Sequence, residues 1–303
     1  MPHNLWRIYS SLDSDDIRLL QAVERGMGRH LYVPVELVER YARLPPGRFS
    51  RSIRKLSTMK LVKRRVGSLT GYTLTYSGLD ILAIHNFVKR GIIEVLGDKV
   101  GLGKEGDVYL ALTPTGSKVT VKFHRAGRES FKKVRRHRSY ALSINVTSWM
   151  DLAKAFAQRE FKVLVKLEEE GALVPAPIAL TRHALVQKYV AGVELSDVKA
   201  LDRNTATTIL SDVLDTIRIA YTRVGIVHGD LSEYNVIFSD NEGHAFIIDW
   251  PQYVYKDEPH ADELLRRDVY YIVRFIGRRV GVEINLEDAL KYVRGETEAP
   301  PQL

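Results

Sequence analysis

The sequence predicts an α+β protein with a small helical domain, residues 1–90, followed by a larger mixed domain, residues 91–303. Three observations predict this division into two domains. The chain has 303 residues, which is enough for two domains with separate cores. Residues 1–90 hold 16 Lys and Arg against 7 Asp and Glu, whereas the remainder is nearly neutral. The hydrophobic pattern changes from helical to strand periodicity at Gly91.

The composition excludes several classes of protein. With 45% hydrophobic, 27% charged and 9% aromatic residues, the chain is typical of a globular protein rather than a disordered or fibrous one. It has no cysteine, which excludes disulfides, Cys-ligated zinc and a thiol nucleophile. No apolar run reaches the ~18 residues of a membrane span, and the start lacks a signal-peptide pattern. We therefore expect a cytoplasmic protein with no membrane contact.

Three helices are predicted in the first part of the small domain. The first covers residues 13–27 and begins at the cap-rich sequence DSDD. The second runs from Pro34 to Ala42, and Leu44-Pro45-Pro46-Gly47 then breaks the chain. The third carries three apolar residues on one face, namely Phe49, Ile53 and Leu56.

Two strand-like runs, Leu61–Val66 and Tyr72–Thr75, and a helix at Ser77–Arg90 complete this domain. Three helices followed by a hairpin predict a winged helix-turn-helix, with the hairpin as the wing. The basic residues Lys63–Arg65 lie where a wing meets phosphates. Two interpretations remain open: binding of a polyanion such as nucleic acid, or a basic surface on a protein-docking module.

A glycine-rich loop connects the first two strands of the larger domain, Glu94–Val100 and Val108–Leu112. It runs from Gly101 to Gly106, and its candidate phosphate-binding residues are Gly101, Gly103, Lys104, Glu105 and Gly106. The glycines would let backbone N–H groups close over phosphates. A Rossmann turn would lead into a helix, and a Walker A loop would need Ser or Thr after its lysine. A glycine loop between two strands is instead the protein-kinase arrangement.

A lysine and a carboxylate are the next candidates. Lys122 lies on the third strand, Val119–Phe123, from which it can reach the α- and β-phosphates of a nucleotide. Glu160 falls on the apolar stripe of a helix at 152–169, where a carboxylate needs a partner, and Lys122 is the predicted one. The alternatives are an exposed strand lysine and a glutamate that reaches solvent at the edge of the stripe.

The segment from His228 to Asn235 reads HGDLSEYN and precedes a predicted hairpin that ends in Asp249. Kinases place a catalytic Asp five residues before a metal-binding Asn and hold the metal also with an Asp after the next hairpin. Asp230, Asn235 and Asp249 have these separations. His228 is predicted to brace the loop.

These segments resemble the RIO kinases, an atypical protein-kinase family, and most closely its second branch, which has an N-terminal winged helix. HGDLSEYN, IIDWPQ and GLGKEGDVY are similar to its catalytic, metal and phosphate loops, and FHRAGRESFKKV is similar to the stretch after its third strand. The resemblance extends over about residues 5–295. It implies a reduced two-lobed kinase fold, with an N-lobe at about 91–187 and a C-lobe at about 188–303.

The resemblance also implies how a nucleotide binds and what the protein does. ATP with Mg²⁺ or Mn²⁺ would lie between the lobes, with Val108 beneath the glycine loop and the hinge residues Gln187, Tyr189 and Val190 at the adenine. The family acts in maturation of the small ribosomal subunit. Its two outputs are serine phosphorylation, chiefly of itself, and ATP hydrolysis as a conformational switch through a phosphate on the metal-loop aspartate, here Asp249.

The sequence departs from the family at Gly106, where a small residue such as Ser is usual, so we expect a more flexible loop. Trp250 replaces the commoner Phe, a change expected to affect packing alone. As in the family, no Ala-Pro-Glu follows Asp249, so a peptide substrate has no evident platform and a switch-like ATPase is favoured.

Residues 125–138 carry a net charge of +6. We expect this loop and the basic winged helix to contact rRNA of the pre-ribosomal small subunit, and we expect the loop to be disordered in the isolated protein. The alternative for the loop is a solvated, partly disordered segment that has no RNA contact. The rival interpretation of the whole chain is a nucleic-acid-binding regulator with a kinase-like domain that binds nucleotide without hydrolysing it. The sequence does not fix the oligomeric state.

Overall fold

A computed structural model describes residues 5–67, 70–102, 106–125 and 148–303. The chain forms two compact units. The first contains the residues up to Gln158 together with Ala179–Val186, and the second contains Arg159–Ile178 and Gln187–Leu303. Gly103, Lys104, Glu105 and the part of the predicted basic loop beyond Arg125 lie outside the described residues.

The first unit opens with helices α1 (Leu5–Ser10) and α2 (Ser14–Met27). The α2 helix starts where DSDD predicts, because the Asp13 carboxylate accepts hydrogen bonds from the N–H groups of Asp15 and Asp16 at 2.9 and 3.0 Å. The Asp16 carboxylate accepts in turn from the Asp13 N–H at 3.1 Å, which completes a capping box. The α1 helix was not predicted, since its six residues are too few to show periodicity.

The predicted helices and hairpin of the small domain follow in order. They are α3 (Val35–Ala42), α4 (Pro46–Thr58), β2 (Val62–Arg65) and β3 (Gly71–Leu74). The α4 helix buries the predicted stripe of Phe49, Ile53 and Leu56. A short strand, β1 (Val33–Pro34), was missed, and it pairs with β3 in a sheet of order β1-β3-β2. This order of elements is the one predicted for a winged helix.

Helix α5 (Tyr76–Lys89) leads into a five-stranded sheet of order β4-β5-β6-β8-β7. The strands are β4 (Val95–Leu102), β5 (Gly106–Leu112), β6 (Lys118–His124), β7 (Pro177–Thr181) and β8 (Ala184–Lys188). Gly91, the predicted domain boundary, has a φ of 67° just after α5 and lies inside the first unit. The boundary at residues 90 and 91 therefore stays a prediction.

Helix α6 (Trp149–Glu169) begins three residues earlier than predicted. The reason is a side-chain cap, in which the Ser148 hydroxyl accepts from the Asp151 N–H at 3.1 Å and donates to the Asp151 carboxylate at 2.7 Å. The predicted apolar stripe is buried, including Phe156 and Leu164.

The second unit is mainly helical. Its helices are α7 (Arg203–Ile219), which continues into a π-helical turn (Ala220–Val224), α8 (Ala261–Val280) and α9 (Leu286–Val293). Its strands are β9 (Val193–Glu194), β10 (Ile226–Val227), β11 (Val236–Ser239), β12 (His244–Ile247) and β13 (Val254–Tyr255). The predicted hairpin is β11–β12, in a sheet of order β12-β11-β9. Across the described ranges, no helix has the length and apolar character of a membrane span.

Candidate active site

Three of the predicted phosphate-site residues form one row across neighbouring strands of the first unit. In the antiparallel register, Gly101 on β4 is opposite Val108 on β5, and Val108 is opposite Lys122 on β6. Directly opposed residues in a sheet place their side chains on the same face. The structure therefore brings these three residues together as the sequence pattern requires.

Lys122 is a buried residue, with 6% of its surface exposed. Strand β6 is buried on both faces, since Val119, Val121 and Phe123 are buried as well as Thr120 and Lys122. This contradicts the alternative of an exposed strand lysine. A buried ammonium group requires polar partners.

Gly106 is the first residue of β5 and lies opposite His124 of β6. A Cβ atom at this position would lie 2.9 Å from the carbonyl oxygen of Phe123, closer than real Cβ contacts. The absence of a side chain thus permits a tight approach of β5 to β6. We expected Gly106 to make the glycine-rich loop more flexible. Residues 103–105 of that loop lie outside the described ranges, so this stays a prediction.

Sequence reasoning missed a buried ion cluster beside Gly106. Arg125 donates to the Asp107 carboxylate at 2.6 Å and, through both terminal nitrogens, to Asp80 of α5 at 2.7 and 2.8 Å. Lys99 donates to the other Asp107 oxygen at 2.5 Å. Arg125 is 4% exposed, so its inclusion in the predicted RNA-contacting loop 125–138 was wrong: its charge is neutralised inside the protein.

The protonation of this cluster follows from its surroundings. Burial alone would raise the pKa of Asp80, but the charge of Arg125 and a hydrogen bond with His183 at 2.7 Å outweigh it, and the pKa lies below its usual value. Burial lowers the pKa of His183. The cluster joins α5 of the small domain to β5 and to the β7–β8 turn.

In the second unit, the catalytic-loop segment is fixed from beneath by Asp268 of α8. The Asp268 carboxylate, 1% exposed, accepts hydrogen bonds from the N–H groups of Gly229 at 2.7 Å and Leu231 at 3.1 Å. Gly229 has a φ of 81°, a left-handed conformation that glycine adopts without strain. Burial raises the pKa of Asp268. The sequence pattern gave no sign of this residue, which lies 38 positions after Asp230.

His228 braces the loop as predicted. Its Nε2 is 3.1 Å from the carbonyl oxygen of Ile248, and its Nδ1 accepts from the Asp230 N–H at 3.3 Å. The imidazole also lies against the indole of Trp250, with ring centroids 4.6 Å apart. The histidine therefore joins the catalytic loop to the metal-loop segment.

Asp230 and Asn235 are joined directly, because the Asn235 side-chain nitrogen donates to the Asp230 carbonyl at 2.8 Å. The Asp230 side chain is exposed and accepts a 3.0 Å hydrogen bond from the side-chain nitrogen of Gln252. Gln252 was not among the predicted site residues, although it ends the quoted IIDWPQ segment. The side-chain oxygen of Asn235 remains the atom of that group able to bind a cation.

Asp249 has a φ of 67°, a conformation that is uncommon for a residue with a side chain and is typical of functional sites. The preceding residue, Ile248, donates its N–H to the Asn235 carbonyl at 2.9 Å, which holds the end of the HGDLSEYN segment beside the IIDWPQ segment. A carboxylate and an amide oxygen are hard ligands that suit Mg²⁺. Within the described chain, no cluster of three or more His, Cys, Asp or Glu could hold a metal. The suitability of the site for Mg²⁺ therefore depends on the Asp249 carboxylate and the Asn235 amide oxygen.

Arg159, the first residue of the second unit, connects helix α6 to the segment after Asp249. Its guanidinium donates to the carbonyl of Pro251 at 3.1 Å and to that of Tyr253, and lies 3.7 Å from the centroid of the Tyr253 ring. The neighbouring Glu160 is 1% exposed, which contradicts the alternative of a glutamate that reaches solvent. Its predicted pairing with Lys122 stays a prediction.

The predicted hinge begins later than expected. Strand β8 continues through Lys188, because the Lys188 N–H donates to the Ala176 carbonyl at 2.8 Å, so Gln187 lies within the strand. Tyr189 and Val190 follow it, and Val190 is 7% exposed. The roles of these residues toward adenine stay predictions.

Comparison with known proteins agrees with this arrangement. A family model described as "RIO domain" matches residues 107–289, and one described as "Rio2, N-terminal" matches residues 9–90. The chain is 35% identical over 268 residues to the serine/threonine-protein kinase rio2 of Dictyostelium discoideum, covering 88% of this chain and 51% of that protein. It is 35% identical over 252 residues to the RIO-type serine/threonine-protein kinase Rio2 of Methanocaldococcus jannaschii, covering 82% and 91%.

A solved structure of the Rio2 kinase–ADP/Mg²⁺–phosphoaspartate complex from Chaetomium thermophilum has a TM-score of 0.78 and 34% identity to this chain. The match covers 97% of this chain and 90% of that one, and it confirms the predicted fold class. The chain spans about half the length of the Dictyostelium relative. The chain belongs to the RIO family of atypical serine/threonine protein kinases, in its Rio2 branch.

Proposed function

We propose that this chain is an ATP- and Mg²⁺-dependent phosphoryl-transfer enzyme in which Asp230 is the catalytic residue. The observation that carries the proposal is the fixed geometry of the Asp230 loop, whose backbone is held by Asp268 and His228 and whose carboxylate accepts from Gln252. A carboxylate held in this way can orient an attacking hydroxyl or water and accept its proton.

The nucleotide is proposed to use the residues identified from the sequence. Lys122 binds the α- and β-phosphates, Glu160 positions that lysine, and the Gly101–Gly106 loop covers the phosphates. Tyr189 and Val190 provide backbone groups for the adenine edge. The row formed by Gly101, Val108 and Lys122 supports the first part of this assignment.

Asn235 and Asp249 are proposed to hold the metal ion. When bound, Mg²⁺ or Mn²⁺ would neutralise phosphate charge and orient the γ-phosphoryl group. The chain contributes the geometry: the Asn235 amide is oriented by the Asp230 carbonyl, and the left-handed backbone of Asp249 is fixed by the packing of Trp250.

Two acceptors for the phosphoryl group are considered, a serine and Asp249 itself. In the second case a carboxylate oxygen of Asp249 attacks the γ-phosphorus, the bond to the β,γ-bridging oxygen breaks, and ADP leaves. Water then hydrolyses the acyl phosphate and releases inorganic phosphate. The phosphoaspartate named in the Chaetomium complex and the missing Ala-Pro-Glu support this switch-like route.

A role in maturation of the small ribosomal subunit, in the cytoplasm, is proposed for the whole protein. Its support is the basic surface of the small domain, where Arg51, Arg54 and Lys63–Arg65 are exposed. Arg48 and Lys55 of the same helix contribute less, because they form ion pairs of 2.5 Å with Asp15 and Asp16. The exposed charges would contact rRNA phosphates.

Incubation with γ-labelled ATP and Mg²⁺ tests the enzymatic proposal. Asp230→Ala and Asp249→Ala should each abolish phosphate release while unfolding as the unmodified protein does, and Asp240→Ala, an exposed aspartate in the β11–β12 turn, is the matched control. Acid-stable label indicates a serine acceptor, and hydroxylamine-labile label indicates Asp249. Normal turnover by both variants would overturn the assignment of Asp230 and Asp249. No turnover by the unmodified protein would instead favour the regulator that binds nucleotide without hydrolysing it.

A further inference from the structure

From Arg266 to Arg279, the exposed side chains of helix α8 are arginine and tyrosine alone, whereas its first turn exposes Asp262 and Glu263. Seven side chains between residues 266 and 279 are exposed, namely Arg266, Arg267, Tyr270, Tyr271, Arg274, Arg278 and Arg279. The one acidic residue in this stretch, Asp268, is buried on the opposite side. We call these seven residues the arginine–tyrosine face. A surface helix normally mixes both signs of charge, so this composition indicates an anionic partner.

Part of this positive charge is not compensated within the protein. Arg266 forms an ion pair of 2.6 Å with Glu287, and Arg279 donates to the neutral carbonyl of Lys199 at 3.1 Å. In the part of the chain that the structure describes, Arg274 and Arg278 form no ion pair with an acidic side chain. These two guanidinium groups can therefore bind an external anion.

The two tyrosines are unusual for a solvent-facing helix surface. Tyr270 is 39% exposed and Tyr271 is 42% exposed, and their ring centroids are 5.9 Å apart. The Arg274 guanidinium lies 5.5 Å from the centroid of the Tyr270 ring. Exposed aromatic rings beside arginines are the features on which successive bases of single-stranded nucleic acid stack.

A groove of about 860 Å³ lies beside this face, between α8 and residues 281–286. Val273, Gly277 and Ile284 contribute apolar surface to its lining, and Arg274 and Arg278 contribute charge. The segment can lie close to the helix because Gly277 has no side chain: a Cβ atom there would be 2.5 Å from the Val282 carbonyl. The groove thus combines an apolar surface for a flat base with cations for its phosphate.

We propose that the arginine–tyrosine face and this groove bind single-stranded nucleic acid. Bases stack on Tyr270 and Tyr271, and Arg274 and Arg278 contact phosphates. Glu283 and the side-chain nitrogen of Asn285 also line the groove and can hydrogen-bond to base edges. The exposed tyrosine rings favour nucleic acid over a polyanionic protein segment, because bases stack on aromatic rings. The proposal does not depend on phosphoryl transfer, because Tyr270, Tyr271, Arg274 and Arg278 are not assigned to the ATP site. Arg267 of the same face is left out of the test, since it donates to the Gly229 carbonyl beside Asp230.

Photo-cross-linking of the full chain tests the location of this surface. The probes are single-stranded RNA containing 4-thiouridine and single-stranded DNA containing 4-thiothymidine, with the cross-linked peptide identified by mass spectrometry. Cross-links within residues 266–286 support the proposal, and a preference for one probe identifies the kind of nucleic acid. Cross-links confined to residues 1–90 or to the 126–147 segment would overturn it.

Affinity measurements with charge-reversal variants test how much Arg274 and Arg278 contribute to nucleic-acid binding. The double variant Arg274→Glu/Arg278→Glu should bind the labelled oligonucleotide at least about fivefold more weakly. Its slope of log affinity against log salt should fall by about 0.7 for each phosphate that the variant no longer binds. Arg223→Glu, a similarly exposed arginine of the second unit, is the matched control and should change neither quantity.

Three further outcomes are decisive. ATP turnover by the double variant should equal that of the unmodified protein, which shows that the variant is folded and separates this inference from the proposed function. Equal affinities of the double variant and the Arg223→Glu control would overturn the proposal. Polyglutamate that displaces the oligonucleotide as efficiently as unlabelled RNA would also overturn it, since the surface would then be a general anion site.

Discussion

The side-chain nitrogen of Gln252 donates a hydrogen bond of 3.0 Å to the carboxylate of Asp230. This hydrogen bond joins the segment after Asp249, the proposed metal ligand, to Asp230, the proposed catalytic residue, and it orients a carboxylate that is otherwise exposed. A hydrogen bond to an ionised group contributes about 1.5–3 kcal/mol.

We therefore expect Gln252→Leu to lower kcat by about tenfold or more, since each ~1.4 kcal/mol in the barrier corresponds to a factor of ten. The KM for ATP should change little, because Gln252 is not assigned to nucleotide binding. Steady-state kinetics measures both quantities. Gln21→Leu, at an exposed position of α2, is the control, and an unchanged kcat for Gln252→Leu would show that the hydrogen bond does not orient Asp230.

Arg159→Ala should raise the Mg²⁺ concentration needed for half-maximal turnover. The substitution removes two donors from the carbonyls of Pro251 and Tyr253 and so loosens the segment that fixes Asp249. Burial raises the pKa of Tyr253 to about 12, so its ring stays neutral and available to the guanidinium in ordinary assays. Arg159→Lys retains the positive charge, so it should raise the required Mg²⁺ concentration less than Arg159→Ala does.

A Mg²⁺ titration of ATPase activity measures this prediction. Lys162→Ala, an exposed substitution on the same helix, should leave the titration unchanged. If Arg159→Ala lowers kcat without altering the Mg²⁺ dependence, Arg159 supports the fold and does not position the metal loop.

Gly106→Ser should destabilise this protein, although the resemblance to the family implies a small residue such as Ser at this position. The new Cβ atom would lie 2.9 Å from the Phe123 carbonyl, so β5 and β6 would have to separate, at a cost of about 1–3 kcal/mol. Urea unfolding measures the change. Gly47→Ser, where no atom lies within 4 Å of the added Cβ, is the control, and equal stability of the two variants would mean that the strands relax freely.

Asp80→Asn should lower the free energy of unfolding by about 3–5 kcal/mol at neutral pH, because it leaves the buried Arg125 without its main counter-ion. The pKa of Asp80 is lower in the folded protein than in the unfolded chain, so the unfolded chain binds more protons in acid. Its contribution to stability is complete above the unfolded value of about 3.9 and is lost as the pH falls through the folded value.

Denaturant unfolding at pH 7 and at several points below pH 4 measures this dependence. The difference between the unmodified protein and Asp80→Asn should shrink as the pH falls. Asp257→Asn, at an exposed position, is the control for the loss of a charge. A difference that stays constant with pH would exclude ionised Asp80 as the source of the stability.

Local patterns in the sequence were sufficient for most helices and strands and for the spacing of Asp230, Asn235 and Asp249. Each of those predictions depends on residues close together in the chain, such as the Asp13–Asp16 capping box. The Arg125 cluster could not be predicted in this way, because Asp80 lies 45 positions and His183 58 positions from Arg125. A basic run suggested an exposed loop, whereas tertiary packing buried its first arginine.

Asp268 and Gln252 were missed for a related reason. Asp268 is polar within a helix whose exposed face is itself rich in charge, so its burial against the Gly229 and Leu231 N–H groups has no local signature. The short strand β1 was missed because two residues have no measurable periodicity, and its pairing with β3 depends on a distant partner.

Helix α8 holds the backbone of the Asp230 loop with Asp268 and carries the arginine–tyrosine face, of which Arg267 also donates to the Gly229 carbonyl. Because one helix contacts the Asp230 loop and also carries this face, any shift of α8 moves both. If α8 has more than one position, the affinity for a ligand on the arginine–tyrosine face and the proposed reaction rate at Asp230 both depend on the equilibrium between those positions. The effect on binding is then reciprocal: a nucleotide that favours one position strengthens binding of the outer ligand by the same factor as that ligand strengthens binding of the nucleotide.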